Sequence, residues 1–99
     1  MTDDNIIQMK VSSGADVAKL GSAIQKMVTE NPGKAIELRA IGAGAVNQSL
    51  KGAAIARGYL ASSSRYDLAV IPRFTDIDMN GETRSAISLT VVNLADKGV

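Results

Sequence analysis

The stretch of the sequence best suited to binding chemistry is a run of small residues at positions 40–51, Ala-Ile-Gly-Ala-Gly-Ala-Val-Asn-Gln-Ser-Leu-Lys. It follows a predicted strand and begins a predicted helix, where free backbone N–H groups and the positive helix end attract an anion. The predicted phosphate contacts are the loop residues and three polar side chains after them: Gly42, Ala43, Gly44, Ala45, Asn47, Gln48 and Lys51. The run lacks the third glycine of a dinucleotide-binding fingerprint and the Gly-Lys-Ser/Thr of a P-loop. On residue types alone, an anion site and a tight turn that packs a helix closely on a sheet remain equally open.

A second group of residues with chemical potential lies in the last third of the chain. Arg73 and Arg84 flank a predicted hairpin tip, and two arginines on a projecting arm suit a nucleic-acid groove. Asp76, Asp78 and Glu82 share the arm and roughly cancel its charge, so a solvated arm of mixed charge is the alternative interpretation. The two aspartates lack the further ligands and the glycine of a calcium loop, so no metal site is predicted.

The composition excludes several classes of function. The 99 residues include 11 Lys+Arg and 10 Asp+Glu, and the net charge of +1 rules out a broadly basic wrapper of nucleic acid but not a local basic patch. Cysteine and histidine are absent, which removes disulfides, thiol chemistry and the commonest general base. Aromatic residues make up 3% of the chain, too few for a base-stacking platform. We expect no catalysis, no metal and no cofactor.

Apolar residues at helical spacing predict two helices that carry the candidate residues. The first covers Ala15–Glu30 and is capped by Ser13 or Asp16. The second covers about Ala45–Tyr59, with Gly58 as its stop signal. The small residues of the second helix favour close packing of its backbone on a sheet.

Alternating apolar and polar residues predict strands around 7–11 and 36–40, and a hairpin turns at Asn80-Gly81. A two-residue turn there places three apolar residues of one strand opposite three of the other on one face: Val70 opposite Val91, Pro72 opposite Leu89, and Phe74 opposite Ile87. The turn and the hydrophobic alternation agree on this register. Pro72 inside the strand indicates an edge position or a bulge.

The predicted order β-α-β-α-β-β gives an α/β two-layer sandwich with a four-stranded mixed sheet and two helices on one face. The first three strands run parallel through right-handed crossovers, and the last is antiparallel to the third. The other sheet face is polar, and we expect it to be wet or to contact a partner; it carries Gln8, Lys10, Glu37, Arg39, Arg73, Ser88 and Thr90. The prediction is one domain over residues 1–99, with its core at about 6–94.

The first residues, Met-Thr-Asp-Asp-Asn, are acidic, and no apolar run that could serve as a signal peptide follows them. No stretch reaches the roughly 20 apolar residues of a membrane span. We expect a cytoplasmic protein that makes no contact with a membrane.

Five motifs together resemble the stage V sporulation protein S family over roughly residues 9–92. They are Lys-Val-Ser at 10–12, Arg-Ala-Ile-Gly-Ala-Gly-Ala-Val-Asn-Gln at 39–48, Ala-Ile-Ala-Arg-Gly-Tyr at 54–59, Ile-Pro-x-Phe-Thr-Asp-Ile at 71–77 and Asn-Gly-Glu at 80–82. The Ala-Ile-Gly-Ala-Gly-Ala-Val-Asn-Gln part of the second motif is specific to that family.

The resemblance implies an Alba-like fold, since the family looks like a small relative of the Alba chromatin proteins with the same element order. Alba-like proteins are dimers that bind DNA or RNA through the loop before the second helix, the start of the first helix and the final hairpin. The matching positions are Gly42–Lys51, Lys10–Gly14 and Arg73–Arg84, which adds Lys10 and Ser12 to the predicted contacts. Family members are tied to spore development and to regulation of cell-cycle progression or septation.

The leading hypothesis is therefore a non-enzymatic regulatory protein of sporulation or cell development that binds DNA or RNA as a homodimer. Two alternatives stay open. One is a protein–protein interaction module, which the near-zero net charge and the scarce aromatic residues favour. The other is a sensor of a small phosphorylated ligand that uses the Gly42–Ala45 loop.

Overall fold

The computed structural model describes residues 5–95, and within them the chain forms the predicted α/β two-layer sandwich. The elements are β1 (Ile6–Val11), α1 (Val17–Glu30), β2 (Ala35–Ala40), α2 (Ala43–Leu60), β3 (Leu68–Met79) and β4 (Glu82–Asn93). The sheet order is β1-β2-β4-β3, with β1 parallel to β2 and β4 antiparallel to both of its neighbours. The acidic start and the two ends of the predicted 1–99 domain, residues 1–4 and 96–99, lie outside the described residues.

The hairpin of β3 and β4 has the predicted register. Val70 pairs with Val91, Pro72 with Leu89 and Phe74 with Ile87. Asn80 and Gly81 both have positive φ, 53° and 81°, which is the backbone of a type I′ turn. β3 is an edge strand, so Pro72 lies where a missing ladder donor is tolerated.

α1 begins at Val17, two residues later than predicted, because Asp16 caps it. The Asp16 backbone is extended, and its carboxylate accepts hydrogen bonds from the N–H groups of Ala18 at 2.9 Å and Lys19 at 3.1 Å. These bonds satisfy two of the donors that every helix start leaves open. Of the two predicted caps, Asp16 is the one used, and Ser13 is left in the preceding loop.

α2 begins at Ala43, two residues before the predicted start, and ends at Leu60. Gly42 has φ of 89°, a conformation that favours glycine, and the helix starts directly after it. The prediction that Gly58 ends the helix is wrong: Gly58 lies inside the last turn, and its carbonyl accepts a hydrogen bond from the C-cap residue Ala61.

The small residues of α2 pack against α1 as well as on the sheet. A Cβ atom added to Gly52 would lie 2.6 Å from Cγ of Leu20, and one added to Gly21 would lie 2.5 Å from Cγ2 of Ile55. The prediction assigned these small residues to the sheet contact alone. Two glycines in fact allow the backbones of the two helices to approach each other, which fixes where α2 begins relative to the loop after β1.

One apolar core lies between the helices and the sheet. Its most deeply buried members are Ile24 of α1, Ile36 and Leu38 of β2, and Val91 of β4. The core residues of β2 and β4 alternate with the polar residues of the open face, as the period of a strand requires. Neither helix in the described part of the chain is long and apolar enough to cross a membrane.

Candidate functional site

Two loops meet at the carboxyl ends of the parallel strands β1 and β2. A Cβ atom added to Gly44 would lie 2.8 Å from Cβ of Ser13, so the start of α2 rests directly on the loop after β1. Gln48 Nε2 donates a hydrogen bond of 2.8 Å to the carbonyl of Ala15 in the same loop. Gln48, predicted as a ligand donor, therefore uses this amide N–H to hold the two loops together.

The N-terminus of α2 presents backbone donors that no side chain caps. Gly42 makes no capping bond, and the first helical hydrogen bond runs from the N–H of Val46 to the Gly42 carbonyl at 3.2 Å. In the bonding pattern of residues 5–95, the N–H groups of Ala43, Gly44 and Ala45 donate no hydrogen bond, and those of the exposed Ala43 and Gly44 are left to solvent or a ligand.

The two interpretations of this loop are compatible. Gly42 is required by its positive φ and Gly44 by its contact with Ser13, so a tight turn accounts for both glycines. The same turn leaves the first N–H groups of the helix open to an anion. Ala45 is only 1% exposed as a whole residue, so the accessible backbone donors of this loop are those of the exposed Ala43 and Gly44, and the prediction that Ala45 contacts the ligand finds no support in its burial.

The polar side chains after the loop differ in exposure. Asn47 and Lys51 are exposed and lie one helical turn apart, as predicted. The Asn47 amide is 3.4 Å from Gln48 Oε1, at the long end of the hydrogen-bond range. Lys51 makes no ion pair with any acidic group in the described part of the chain, and its charge is therefore free to meet a phosphate.

A row of basic residues crosses the open face of the sheet. Lys10 pairs with Arg39, Arg39 with Ser88, and Ser88 with Arg73 in the strand register. Three inter-strand spacings separate Lys10 from Arg73, about 14 Å in total. We call Lys10, Arg39 and Arg73 the basic row. Arg39 was predicted only as part of the polar face, and its place between two predicted contacts follows from the tertiary strand order.

A buried carboxylate lies beside the basic row. Glu37 Oε1 accepts a hydrogen bond of 2.8 Å from Gln8, and Oε2 accepts one of 2.6 Å from the Ser88 hydroxyl. Burial alone raises the pKa of the Glu37 carboxyl, but these hydrogen bonds and the charges of Arg39 and Arg73 outweigh it, so the pKa lies below its ordinary value. The centre of the open face is therefore closed by a polar network, while Gln8, Lys10 and Arg73 around it are exposed to solvent or a partner, the two alternatives expected for this face.

Arg39 is held near that carboxylate without being satisfied by it. Its Nε lies 3.5 Å from Oε1 of Glu37, within ion-pair distance, yet this buried N–H makes no hydrogen bond. The same carboxylate accepts the hydrogen bonds of Gln8 and Ser88. The Arg39 side chain is 34% exposed, so the other N–H groups of its guanidinium remain available to another anion.

The hairpin arm, residues 73–84, carries charges of both signs, and from Thr75 onward it extends past Ala40–Ile87, the last pair of β2 with β4. Arg84 pairs across the hairpin with Ile77, while Asp76, Asp78 and Glu82 are exposed nearby. No group of three potential metal-ligating side chains is found among residues 5–95. Within residues 5–95, neither Arg84 nor Lys51 makes a hydrogen bond or ion pair with another predicted contact. The structure therefore does not join these two residues to the predicted contacts in the loops after β1 and β2.

Phe74 corrects the expectation of an apolar face that is fully covered. It lies on the predicted face, on the edge strand β3, but 86% of its surface is exposed. It lines one groove with Val46 and Leu50 of α2 and Ile87 of β4. We call these four residues the Phe74 patch. The alternation of residues predicted the face of each side chain but not where the helices stop covering it.

The fold is shared with a solved archaeal structure, "Alba from Thermoplasma volcanium". The two chains have a TM-score of 0.53 and 15% sequence identity, and the match covers 88% of this chain and 95% of that chain. At this identity the likeness concerns the fold alone, and it agrees with the predicted Alba-like arrangement.

The sequence itself matches a family model, described as stage V sporulation protein S, over residues 7–94. The match includes every predicted contact and all six strands and helices except the first residue of β1. The family name implies a role related to sporulation. The chain belongs to the stage V sporulation protein S family.

Proposed function

We propose that this protein is a non-enzymatic, cytoplasmic regulator of sporulation that binds DNA or RNA as a homodimer. The observation that carries the proposal is the uncapped N-terminus of α2, which lies against the loop after β1 at the end of the sheet that carries Lys10. Its ligand is a phosphate of the nucleic-acid backbone.

The chemistry of the surface suits phosphates better than bases. The N–H groups of the exposed Ala43 and Gly44 are donors at the positive end of a helix of 18 residues. Lys10 and Lys51 are exposed cations that can neutralise phosphates. Phosphate contacts fix position and carry no direct sequence information, so binding should depend strongly on salt and weakly on sequence.

The predicted arginines extend this surface along the sheet. Arg73 belongs to the basic row, and the exposed Arg84 lies further out on the arm. Since aromatic residues are scarce, stacking adds little, and the charge contacts supply most of the affinity. With a net charge of +1, one subunit has little overall attraction for a nucleic acid. A second copy doubles the contact surface and so raises the affinity strongly.

The Phe74 patch supplies the surface for the second copy. Phe74 and Leu50 are large apolar side chains with much of their surface exposed, and Val46 and Ile87 line the groove between them. A two-fold dimer uses the same patch on both subunits, which doubles the apolar area that one patch can bury. The groove is also lined by Gly42, Ala43 and Asn47, so such a dimer brings two α2 starts together at the edge of its interface, and one nucleic acid can contact both.

The test is a fluorescence anisotropy titration with labelled duplex DNA, single-stranded DNA and RNA at low and moderate salt. Lys51→Ala and Lys10→Ala should each weaken binding several-fold, because each removes a phosphate contact per subunit. The matched control is Lys34→Ala, which removes the same charge from an exposed turn at the opposite end of β2. The control should bind like the wild type.

Two results would contradict the proposal. One is no binding of any of the three nucleic acids at low salt. The other is equal weakening by Lys51→Ala, Lys10→Ala and Lys34→Ala, which would show that net charge acts and not a defined surface.

A further inference from the structure

A cleft separate from the groove of the Phe74 patch lies under the hairpin arm. Its volume is about 500 Å³, within the range of small-molecule sites. One wall is the end of β1 with the following loop, and the opposite wall is formed by Ile77 and Met79 of the arm. This cleft opens at the carboxyl ends of two parallel strands, where open α/β sheets commonly bind ligands.

The lining of the cleft combines positive charge, hydroxyl groups and apolar surface. Lys10 and Arg39 are neighbours in the strand register, and both line it. The loop after β1 adds the hydroxyls of Ser12 and Ser13. None of the lining residues is acidic, and the rest of the wall is apolar, including Ile77.

Arg39 contributes an accessible cation to the cleft. Its Nε is buried 3.5 Å from Glu37 Oε1, but the Arg39 side chain as a whole is 34% exposed and lines the cleft. A guanidinium carries further N–H donors besides Nε, and they suit a carboxylate or a phosphate. An anion in the cleft would therefore meet a charge that Glu37 holds in place.

We propose that this cleft binds a small organic anion: one phosphate, sulfonate or carboxylate group on a compact apolar body. The anionic group lies between Lys10 and Arg39, and the apolar body contacts Ile77 and Met79. The site differs from the α2 N-terminus, and it does not require nucleic-acid binding, although both use Lys10. A bare phosphate leaves the apolar wall unused, and a neutral apolar molecule leaves the two cations unused.

The experiment is a titration of the isotopically labelled protein, followed by backbone amide chemical shifts. The probe is 1-naphthyl phosphate at neutral pH, with 1-naphthol as the matched compound without the charge and inorganic phosphate as the one without the apolar body. The expected result is saturable shifts at Ser12, Ser13, Ile41 and Met79 with 1-naphthyl phosphate, at an affinity at least about tenfold higher than that of either control.

Variants locate the anionic group. Lys10→Gln should weaken 1-naphthyl phosphate about tenfold, the effect of losing one charge-assisted contact, and should leave 1-naphthol unchanged. Lys34→Gln, which removes a lysine charge at the other end of the sheet, should change neither affinity. Met79→Glu should also weaken the binding of 1-naphthyl phosphate, because the new negative charge repels the anion. The substitution is at a residue that is 39% exposed, so the fold should be preserved.

Three outcomes would overturn the proposal. In the first, the shifts do not saturate. In the second, they saturate at Phe74 and Leu50 and not at Ser12 and Met79, which places the probe on the Phe74 patch. In the third, inorganic phosphate binds as tightly as 1-naphthyl phosphate, which assigns the contact to a simple phosphate site of the proposed nucleic-acid surface. Loss of nucleic-acid binding without loss of 1-naphthyl phosphate binding would refute only the proposed function.

Discussion

Replacing Phe74 with serine should break the proposed dimer without unfolding the subunit. Phe74 is 86% exposed, so its removal takes little from the core of the monomer. Full burial of a phenylalanine side chain contributes about 1.5–3 kcal/mol. A two-fold interface contains the residue twice, so the loss is about 3–6 kcal/mol, or roughly a hundred- to ten-thousand-fold in the dimer Kd.

The assay is sedimentation velocity over a wide range of protein concentrations, with thermal unfolding of each variant as the check on folding. Tyr59→Ser is the matched control, because Tyr59 is a 53% exposed aromatic residue near the other end of α2. It lies about 20 Å along the helix from Val46 of the Phe74 patch. Tyr59→Ser should dimerise like the wild type. Equal dimer Kd values for the wild type and Phe74→Ser would refute the reasoning, as would equal weakening by both substitutions.

Three further predictions concern the fold that positions the site. Gly52→Ala should lower the free energy of unfolding, because overpacking against Leu20 costs about 1–3 kcal/mol and exceeds the gain in helix propensity of about 1 kcal/mol. Gly58→Ala, whose new methyl group meets open space, should raise the free energy of unfolding by about 0.5–1 kcal/mol. Thermal unfolding that gives both changes the same sign would contradict this packing. The pKa of Glu37 is lowered in the folded state, so its contribution to stability is complete above its ordinary pKa and is lost as the pH falls through the folded value. Urea unfolding from about pH 6 to about pH 3 should therefore show a smaller loss of stability for Glu37→Gln than for the wild type. Parallel pH profiles of the two proteins would be inconsistent with this network. Asp16→Ala should destabilise the protein by about 1 kcal/mol in the same urea assay, since it removes the α1 cap, and no change would argue against that cap.

The hairpin shows how much local sequence can predict. Asn80-Gly81 specifies a turn in which both residues have positive φ, and the alternation of Val70, Pro72 and Phe74 selects one register. Both signals are contained within a short segment, and they agree. The order of strands and helices follows for the same reason, since each element has its own period in the sequence.

The features that the sequence did not predict all depend on contacts between distant segments. Alternation placed Phe74 on the apolar face, but its exposure depends on how the start of α2 lies relative to β3. The composition of α2 indicated close packing, yet only the tertiary structure brings Gly52 against Leu20. The basic row arises because β4 lies between β2 and β3, so Arg39 and Arg73 are separated by Ser88.

The candidate site likewise has one part that local sequence predicted and one part that depends on contacts between distant segments. The small-residue run at 42–45 identified the open helix start from local spacing, and the structure adds that Gly44 rests on Ser13. The cleft under the arm could not be predicted, because its walls come from residues 10–13 and 77–79, which are far apart in the chain. Strand alternation placed Arg39 on the polar face, and the family motif at 39–48 includes it, but neither signal indicated a contact with a ligand.

The most direct test of the central claim is the slope of the logarithm of the nucleic-acid binding constant against the logarithm of the salt concentration. Each neutralised phosphate contributes about −0.9 to this slope for duplex DNA and about −0.7 for single strands. A dimer that contacts phosphates through both Lys51 side chains should lose about 1.4–1.8 of slope in Lys51→Ala, whereas Lys34→Ala should keep the wild-type slope. An unchanged slope in Lys51→Ala would contradict phosphate binding at the start of α2.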